Sequence, residues 1–237
     1  ELVNGINYIQ MDEKNVDTLI SDIETPAFGY STKLIIARNT GIFKREVKGR
    51  SGGASKELKD KIIITMVGRL SGEKRQDLLI DAVSKSKYSD KIQLIFAGKG
   101  PKELNYMKLS EKLANKPIFN FYPNEELRYI LSYTDLYVHT SDAEIEAISC
   151  IEAIATGLVP VIAESDKSAT SQFALDSRSK FEAGNSRDLA NKIDYWLENE
   201  KERKEMEVKY ADYAKKYRIE ESMKKIEEMF KEEIEGK

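Results

Sequence analysis

A doubly wound, Rossmann-like α/β fold with a helical C-terminal extension is what the sequence predicts from Lys61 onward. Short apolar runs alternate with segments of helical periodicity, as parallel strands and their covering helices do. The first run, residues 62–67, is almost continuously apolar, which suits a strand buried on both faces. The first two runs also end in glycine-containing turns, Gly68 and Gly98-Lys-Gly-Pro101, at the strand ends where such sheets bind ligands.

The elements follow in order. Residues 74–85 read as a helix with Leu78, Leu79, Ala82 and Val83 inward. Residues 92–97 form a second strand and 102–114 a second helix. The alternation continues through 118–121, 125–133, 136–139 and 146–156, and residues 158–163 with a piece near Phe181 finish the sheet. From Arg187 the pattern is helical: Leu189, Ile193, Trp196 and Leu197 pack one helix, and Tyr210, Tyr213 and Tyr217 mark the next. Residues 219–234 form a charged amphipathic helix with a seam of Met223, Ile226, Met229 and Phe230.

The first fifty residues differ. Residues 15–23 suggest a short helix and 32–37 a short buried strand. Residues 44–61 are polar and basic around Ser51-Gly-Gly-Ala, which is linker composition. We therefore divide the chain into residues 1–50, either the tail of a preceding domain or an appended strand and helix, plus linker, and residues 51–237, a domain with its own core.

Composition removes several functions. The net charge of −3 gives no electrostatic case for nucleic acid as partner. One cysteine, Cys150, permits no internal disulfide and suits a reducing cytoplasm. With a single histidine besides, a zinc site built on Cys and His is excluded. No apolar run approaches the roughly 20 residues of a membrane span. The chain opens at Glu1 without methionine or signal peptide, as a fragment of a longer protein would.

The chemistry concentrates in two places. After the first strand, Arg69, Lys74 and Arg75 crowd a helix start whose dipole is already positive, an arrangement that favours a bound diphosphate. Three solvated surface cations are the alternative. The loop lacks Walker and dinucleotide signatures, and the absence of Asp-x-Asp leaves Arg and Lys rather than a metal to neutralise phosphate. Second, Glu144 lies in a polar turn and Glu152 follows in a segment, residues 147–155, with no other charge. That predicts a buried carboxylate, which requires hydrogen-bond donors such as ligand hydroxyls. Ser149 and Thr156 share its face. Gly98-Lys-Gly-Pro101 reads as a structural turn and His139 as a hydrogen-bonded strand end.

Gly68-Arg-Leu-Ser-Gly-Glu-Lys74, Ala97-Gly-Lys-Gly-Pro101 and the Glu144–Glu152 spacing resemble the retaining family-4 glycosyltransferases of the GT-B fold, in their C-terminal donor-binding domain. Gly157-Leu-Val-Pro-Val-Ile-Ala163, Ser168-Ala-Thr-Ser-Gln-Phe-Ala-Leu-Asp176 and Lys192-Ile-Asp-Tyr-Trp-Leu197 are more particularly similar to bacterial cholesterol or diacylglycerol α-glucosyltransferases. The resemblance implies a UDP-sugar donor, no metal or other cofactor, and a lipid acceptor bound by an N-terminal domain of which residues 1–50 are a remnant. By position, Arg69 and Lys74 would hold the diphosphate beside Gly68, and Glu144 would contact the sugar. Arg69, Lys74 and Glu144 form the implied catalytic set. Glu152 would bind the ribose, and amides around Ala147, Ile148 and Ser149 would face phosphate or sugar oxygens. It implies a cytoplasmic protein, peripheral at the inner face of the cell membrane when full-length, and inactive as this fragment. A non-catalytic donor module serving a separate acceptor subunit and a polysaccharide transferase are the alternatives. Two departures stand out: Ile145-Glu-Ala-Ile148 replaces the Gly-Phe-Gly that follows the first glutamate in many relatives, and the Ser168 stretch replaces their Gly-Gly-x-x-Glu loop.

Overall fold

The computed structural model describes residues 8–11, 34–37 and 61–234. The chain divides into two compact units, Glu1–Gly53 and Ala54–Lys237. In the first, β1 (Tyr8–Met11) pairs in parallel with β2 (Leu34–Ala37), with Tyr8 opposite Leu34. The expected helix at 15–23 and linker at 44–61 lie outside the described residues, apart from Lys61.

The second unit is the doubly wound domain. Its strands are β3 (Ile62–Val67), β4 (Ile92–Ala97), β5 (Ile118–Asn120), β6 (Leu136–His139), β7 (Pro160–Glu164) and β8 (Lys180–Glu182). They form one sheet in the order β5-β4-β3-β6-β7-β8, and every neighbouring pair is parallel. The chain winds outward from β3 to β5, crosses back, and winds the other way from β6. The switch point therefore lies between β3 and β6, where Ile64 faces Leu136.

Helices α1 (Gln76–Lys85), α2 (Glu103–Leu109), α3 (Asn124–Tyr133), α4 (Ile148–Ala155), α5 (Ser186–Glu198), α6 (Glu200–Tyr213) and α7 (Ile219–Ile234) complete the unit. All six residues of β4 are buried, as its apolar run requires. Ile64, Leu79, Leu136 and Val161 are fully enclosed, and each contributes about 1.5–3 kcal/mol. Thr65 is also buried, and its hydroxyl lies 2.7 Å from that of Thr134, so no polar atom is stranded. The Ser86 hydroxyl and Lys87 N–H, just after α1, donate to Asp194 of α5 at 2.5 and 3.1 Å. Asn185 caps α5 by accepting from the Arg187 and Asp188 amides. Trp196, fully buried, donates its indole N–H to the Arg178 carbonyl at 3.2 Å.

Two boundaries and one burial pattern differ from expectation. The segment expected as one helix from residue 74 begins as a 3₁₀ turn, Gly72–Lys74, and Arg75 in the left-handed region (φ 54°) separates it from α1. The second helix tightens to 3₁₀ after Leu109. Along α7 the predicted seam exists, but Met223, Ile226, Met229 and Phe230 are all exposed and no residue of the helix is buried. Among the described residues, no helix is long and apolar enough to cross a membrane.

Candidate functional site

The site grows from the carboxyl ends of β3 and β6. Backbone contacts with the next strand's loop hold the loop after β3: Gly68 N–H donates to Ala97 O, Leu70 N–H to Lys99 O, and Lys102 N–H to Leu70 O. A Cβ on Gly98 would sit 2.0 Å from Gly68 O, and one on Gly100 would sit 2.3 Å from Leu70 O. The Gly98–Pro101 turn is thus structural, as the sequence suggested: its glycines let two loops touch main chain to main chain. Among the described residues nothing crowds the α-carbon of Gly72, so none of them requires glycine there. Tyr106 donates its hydroxyl to Ser71 O at 2.8 Å and Gln76 its amide to Arg69 O at 2.9 Å, pinning the loop from beneath.

Lys74 runs beside Gly68, and its ammonium forms an ion pair with the Glu144 carboxylate. The loop that carries Lys74 docks on β6, where the Thr140 hydroxyl donates to Lys74 O at 2.7 Å and Asp142 N–H to Glu73 O at 2.9 Å. Glu144 is held by its main chain as well. It bridges to Ser168, donates its N–H to Lys167 O and accepts from Ala169 N–H. Ser165 adds a hydroxyl donated to Asp142 O at 2.6 Å. The Ser168 stretch, set apart by sequence only as a family mark, is therefore the clamp behind Glu144.

Behind the pair lies a polar line. Tyr137 and His139 share one face of β6, as the period of a strand requires. The Tyr137 hydroxyl stands 3.1 Å from His139 Nδ1 and 3.2 Å from Ser149 Oγ, at the start of α4. His139 Nε2 is 3.6 Å from Glu144, longer than a hydrogen bond. The fully buried His139 ring is kept neutral by desolvation, which lowers its pKa. Its ring and the Lys74 ammonium hold the Glu144 carboxyl down to about 2, against the opposing cost of partial burial. Burial pushes the Cys150 thiol well up, so it stays protonated and is no nucleophile. Among the described residues, four buried side-chain polar atoms lack a hydrogen-bond partner, and three of them belong to this region: Gln76 Oε1, His139 Nε2 and Ser141 Oγ.

Two sequence readings are corrected. Arg75 is not a free anion-binding cation: its left-handed backbone turns the guanidinium onto Asp77 and Asp142, the latter at 3.0 Å. Glu152 is not buried. It lies on an open face of α4 with Ile148 and Ala155, while Cys150, Ala153 and Ile154 face the core. An apolar composition had implied cover on all sides, but small and apolar residues also line the uncovered face.

Of the predicted set, the fold brings Gly68, Lys74 and Glu144 together and links Ser149 to them through Tyr137 and His139. Arg69, Ile148 and Glu152 are exposed, and among the described residues no hydrogen bond or ion pair joins them to the pair. Ile145, 86% exposed, and Glu146 extend outward. Ala147 adopts φ 49°, at the place of the second glycine in the relatives' pattern. Sequence reasoning missed Tyr137 and Asp142. The Tyr-x-His alternation before Glu144 was the available signal for Tyr137.

The chain's likeness to known proteins agrees with this layout. The family model described as Glycosyl transferases group 1 matches residues 51–217. The catalytic domain of cholesterol-alpha-glucosyltransferase from Helicobacter pylori is 52% identical, with a TM-score of 0.65 over 66% of this chain and 99% of that one. Anabaena Alr3699/HepE, solved with UDP and glucose, is 22% identical with a TM-score of 0.61, covering 73% of this chain and 49% of that one, and shares the fold. The GPI3 subunit of phosphatidylinositol N-acetylglucosaminyltransferase from Saccharomyces cerevisiae is 34% identical over 124 residues, 48% of this chain. The match spans only 27% of that curated relative's length. The parallel sheet, its switch-point site and the family match together establish that this chain belongs to the group 1 glycosyl transferases, with the GT-B type of Rossmann-like domain.

Proposed function

We propose that this chain is the donor half of a retaining hexosyltransferase that moves glucose from UDP-glucose to a membrane lipid hydroxyl, such as that of a sterol or diacylglycerol. One observation carries the reading: Lys74 and Glu144 meet at the β3/β6 switch point, amid buried polar atoms that no described residue satisfies. Arg69 and Lys74 supply positive charge for the diphosphate and stabilise the departing nucleoside diphosphate as charge develops on it. Glu144 accepts from sugar hydroxyls and Glu152 from the ribose. The first amides of α4, from Ala147 to Ser149, have no partner within the helix and are positioned for oxyanions. Retention proceeds by front-side attack of the acceptor through an oxocarbenium-like transition state, so no enzyme nucleophile is required. The lipid acceptor rests on the likeness to the Helicobacter pylori domain and would be bound by an N-terminal domain, the protein lying peripherally at the cytoplasmic face. No metal takes part in this reading, because lysine and arginine balance the phosphate charge.

Calorimetric titration with UDP, beside ADP and GDP, tests the reading. We expect selective but weak UDP binding and no glucosyl transfer by these 237 residues alone. Glu152→Ala should weaken UDP about tenfold, the worth of a hydrogen bond to a charged group, with unchanged thermal stability because the side chain is exposed. Equal affinity for all three nucleotides, or turnover by the isolated chain, would contradict these expectations. The yeast relative is named as a subunit, which favours a second reading as a donor module assembled with a separate acceptor chain; co-purification of that chain with the full-length protein distinguishes the two.

A further inference from the structure

His139 is the one histidine in the chain and is completely buried. Its Nδ1 faces the Tyr137 hydroxyl, but Nε2 has no hydrogen-bond partner among the described residues. Leaving a buried polar atom unsatisfied costs about 1–3 kcal/mol, so a state that satisfies this one is favoured. The nearest acceptor is Glu144, at 3.6 Å, and Lys74 holds its carboxylate. In the donor-site reading above, Lys74 and Glu144 part company on binding: the ammonium serves the diphosphate and the carboxylate serves the sugar. Glu144 then loses its ion-pair partner while facing a ring edge that needs to move less than about 1 Å to reach hydrogen-bond distance.

We propose that His139 is a positioning residue for Glu144: its neutral ring carries the proton on Nε2 and takes over the carboxylate when the donor diphosphate draws Lys74 away. The inference rests on the donor-site reading. It also fixes the protons along the polar line. If Tyr137 gave its proton to Ser149, Nδ1 would have to be the protonated nitrogen, and the Nε2 lone pair would face a carboxylate. The negative charge of Glu144 disfavours that tautomer. In this geometry the Tyr137 hydroxyl is placed to donate to Ser149 Oγ; with the proton on Nε2 it donates to Nδ1 instead. The line then runs Tyr137, His139, Glu144, each donating to the next, and ties the middle of β6 to the sugar-binding carboxylate.

The single histidine makes the test direct. In the ¹⁵N-labelled wild-type chain, NMR of the imidazole nitrogens should show a neutral ring protonated on Nε2. Saturation with UDP should move the Nε2 proton downfield as the bond to Glu144 shortens. A ring protonated on Nδ1, or an Nε2–H unmoved while calorimetry records UDP binding, overturns the role of His139 alone. Absence of any UDP binding overturns the donor reading and this inference with it. The preference for UDP-glucose over UDP supplies a second readout. His139→Leu should lower that preference about tenfold or more, the worth of a hydrogen bond to a charged group. His139→Gln, which can place an N–H near the Nε2 position, should restore most of it, both measured at matched folded fraction. Loss in neither variant, or equal loss in both, would count against the proposal.

Discussion

Lys74→Ala is expected to weaken UDP binding roughly ten- to a hundredfold, the range for losing a hydrogen bond between charged groups in a partly enclosed site. Lys74 is the one predicted phosphate-binding cation whose side chain is already inside the site, with 18% of it exposed. Arg75 cannot replace it, because Asp77 and Asp142 occupy its guanidinium. The same variant should alter acid stability. The Glu144 pKa is lowered from 4.5 to about 2 in the fold, so its contribution is fully present above about pH 4.5 and is lost as pH falls through about 2. Removing Lys74 withdraws one cause of that lowering and leaves His139. The acid midpoint should therefore move upward, while stability near neutral pH falls by on the order of 1 kcal/mol, discounted for solvent access. Acid titration followed by circular dichroism, alongside calorimetry with UDP, reads both effects. Unchanged UDP affinity in a folded Lys74→Ala chain would remove the lysine from the donor site.

Gly100→Ala should destabilise the domain by about 3 kcal/mol or more, at or above the upper end of ordinary overpacking. The added carbon would lie 2.3 Å from Leu70 O and 2.7 Å from Leu70 N, both main-chain atoms, so no side chain can swing aside. Gly98→Ala meets Gly68 O at 2.0 Å and should behave alike. Gly72→Ala is the control: among the described residues nothing lies within 4 Å of the added carbon, and it should be close to neutral. Urea unfolding measures the contrast, the first two variants losing about 1 M or more in midpoint for a slope of 2–3 kcal/mol/M. A mild Gly100→Ala effect would show that the two loops can separate without cost.

The sheet was legible because each buried parallel strand announces itself locally: five of the six residues of β4 are apolar, and Gln93 is the single polar one. Lys74 and Glu144 were legible singly, through their motifs, but their contact joins residues 70 positions apart and has no local signature. Arg75 was misread because its left-handed backbone, rare outside glycine, asparagine and aspartate, turned a helix-start cation into an internal strut. Glu152 was misread because hydrophobic residues report affinity for a core and not whether a given helix face is covered. His139 was assigned a hydrogen bond and found to have only one ring nitrogen partnered, a distinction that depends on what lies across from it.

The clamp around Glu144 has a kinetic consequence. Its main chain is fastened to Lys167 and Ala169, that of Asp142 to Glu73, and the loop after β3 to the one after β4. On the proposed reading, a donor arriving at this edge meets a frame already ordered by folding, and the main adjustment is the exchange of one ammonium between two oxyanions. Side-chain motions of that kind are far faster than loop closure. On the proposed donor reading, capture of the nucleotide should therefore be limited by encounter, and any slow step should lie beyond it.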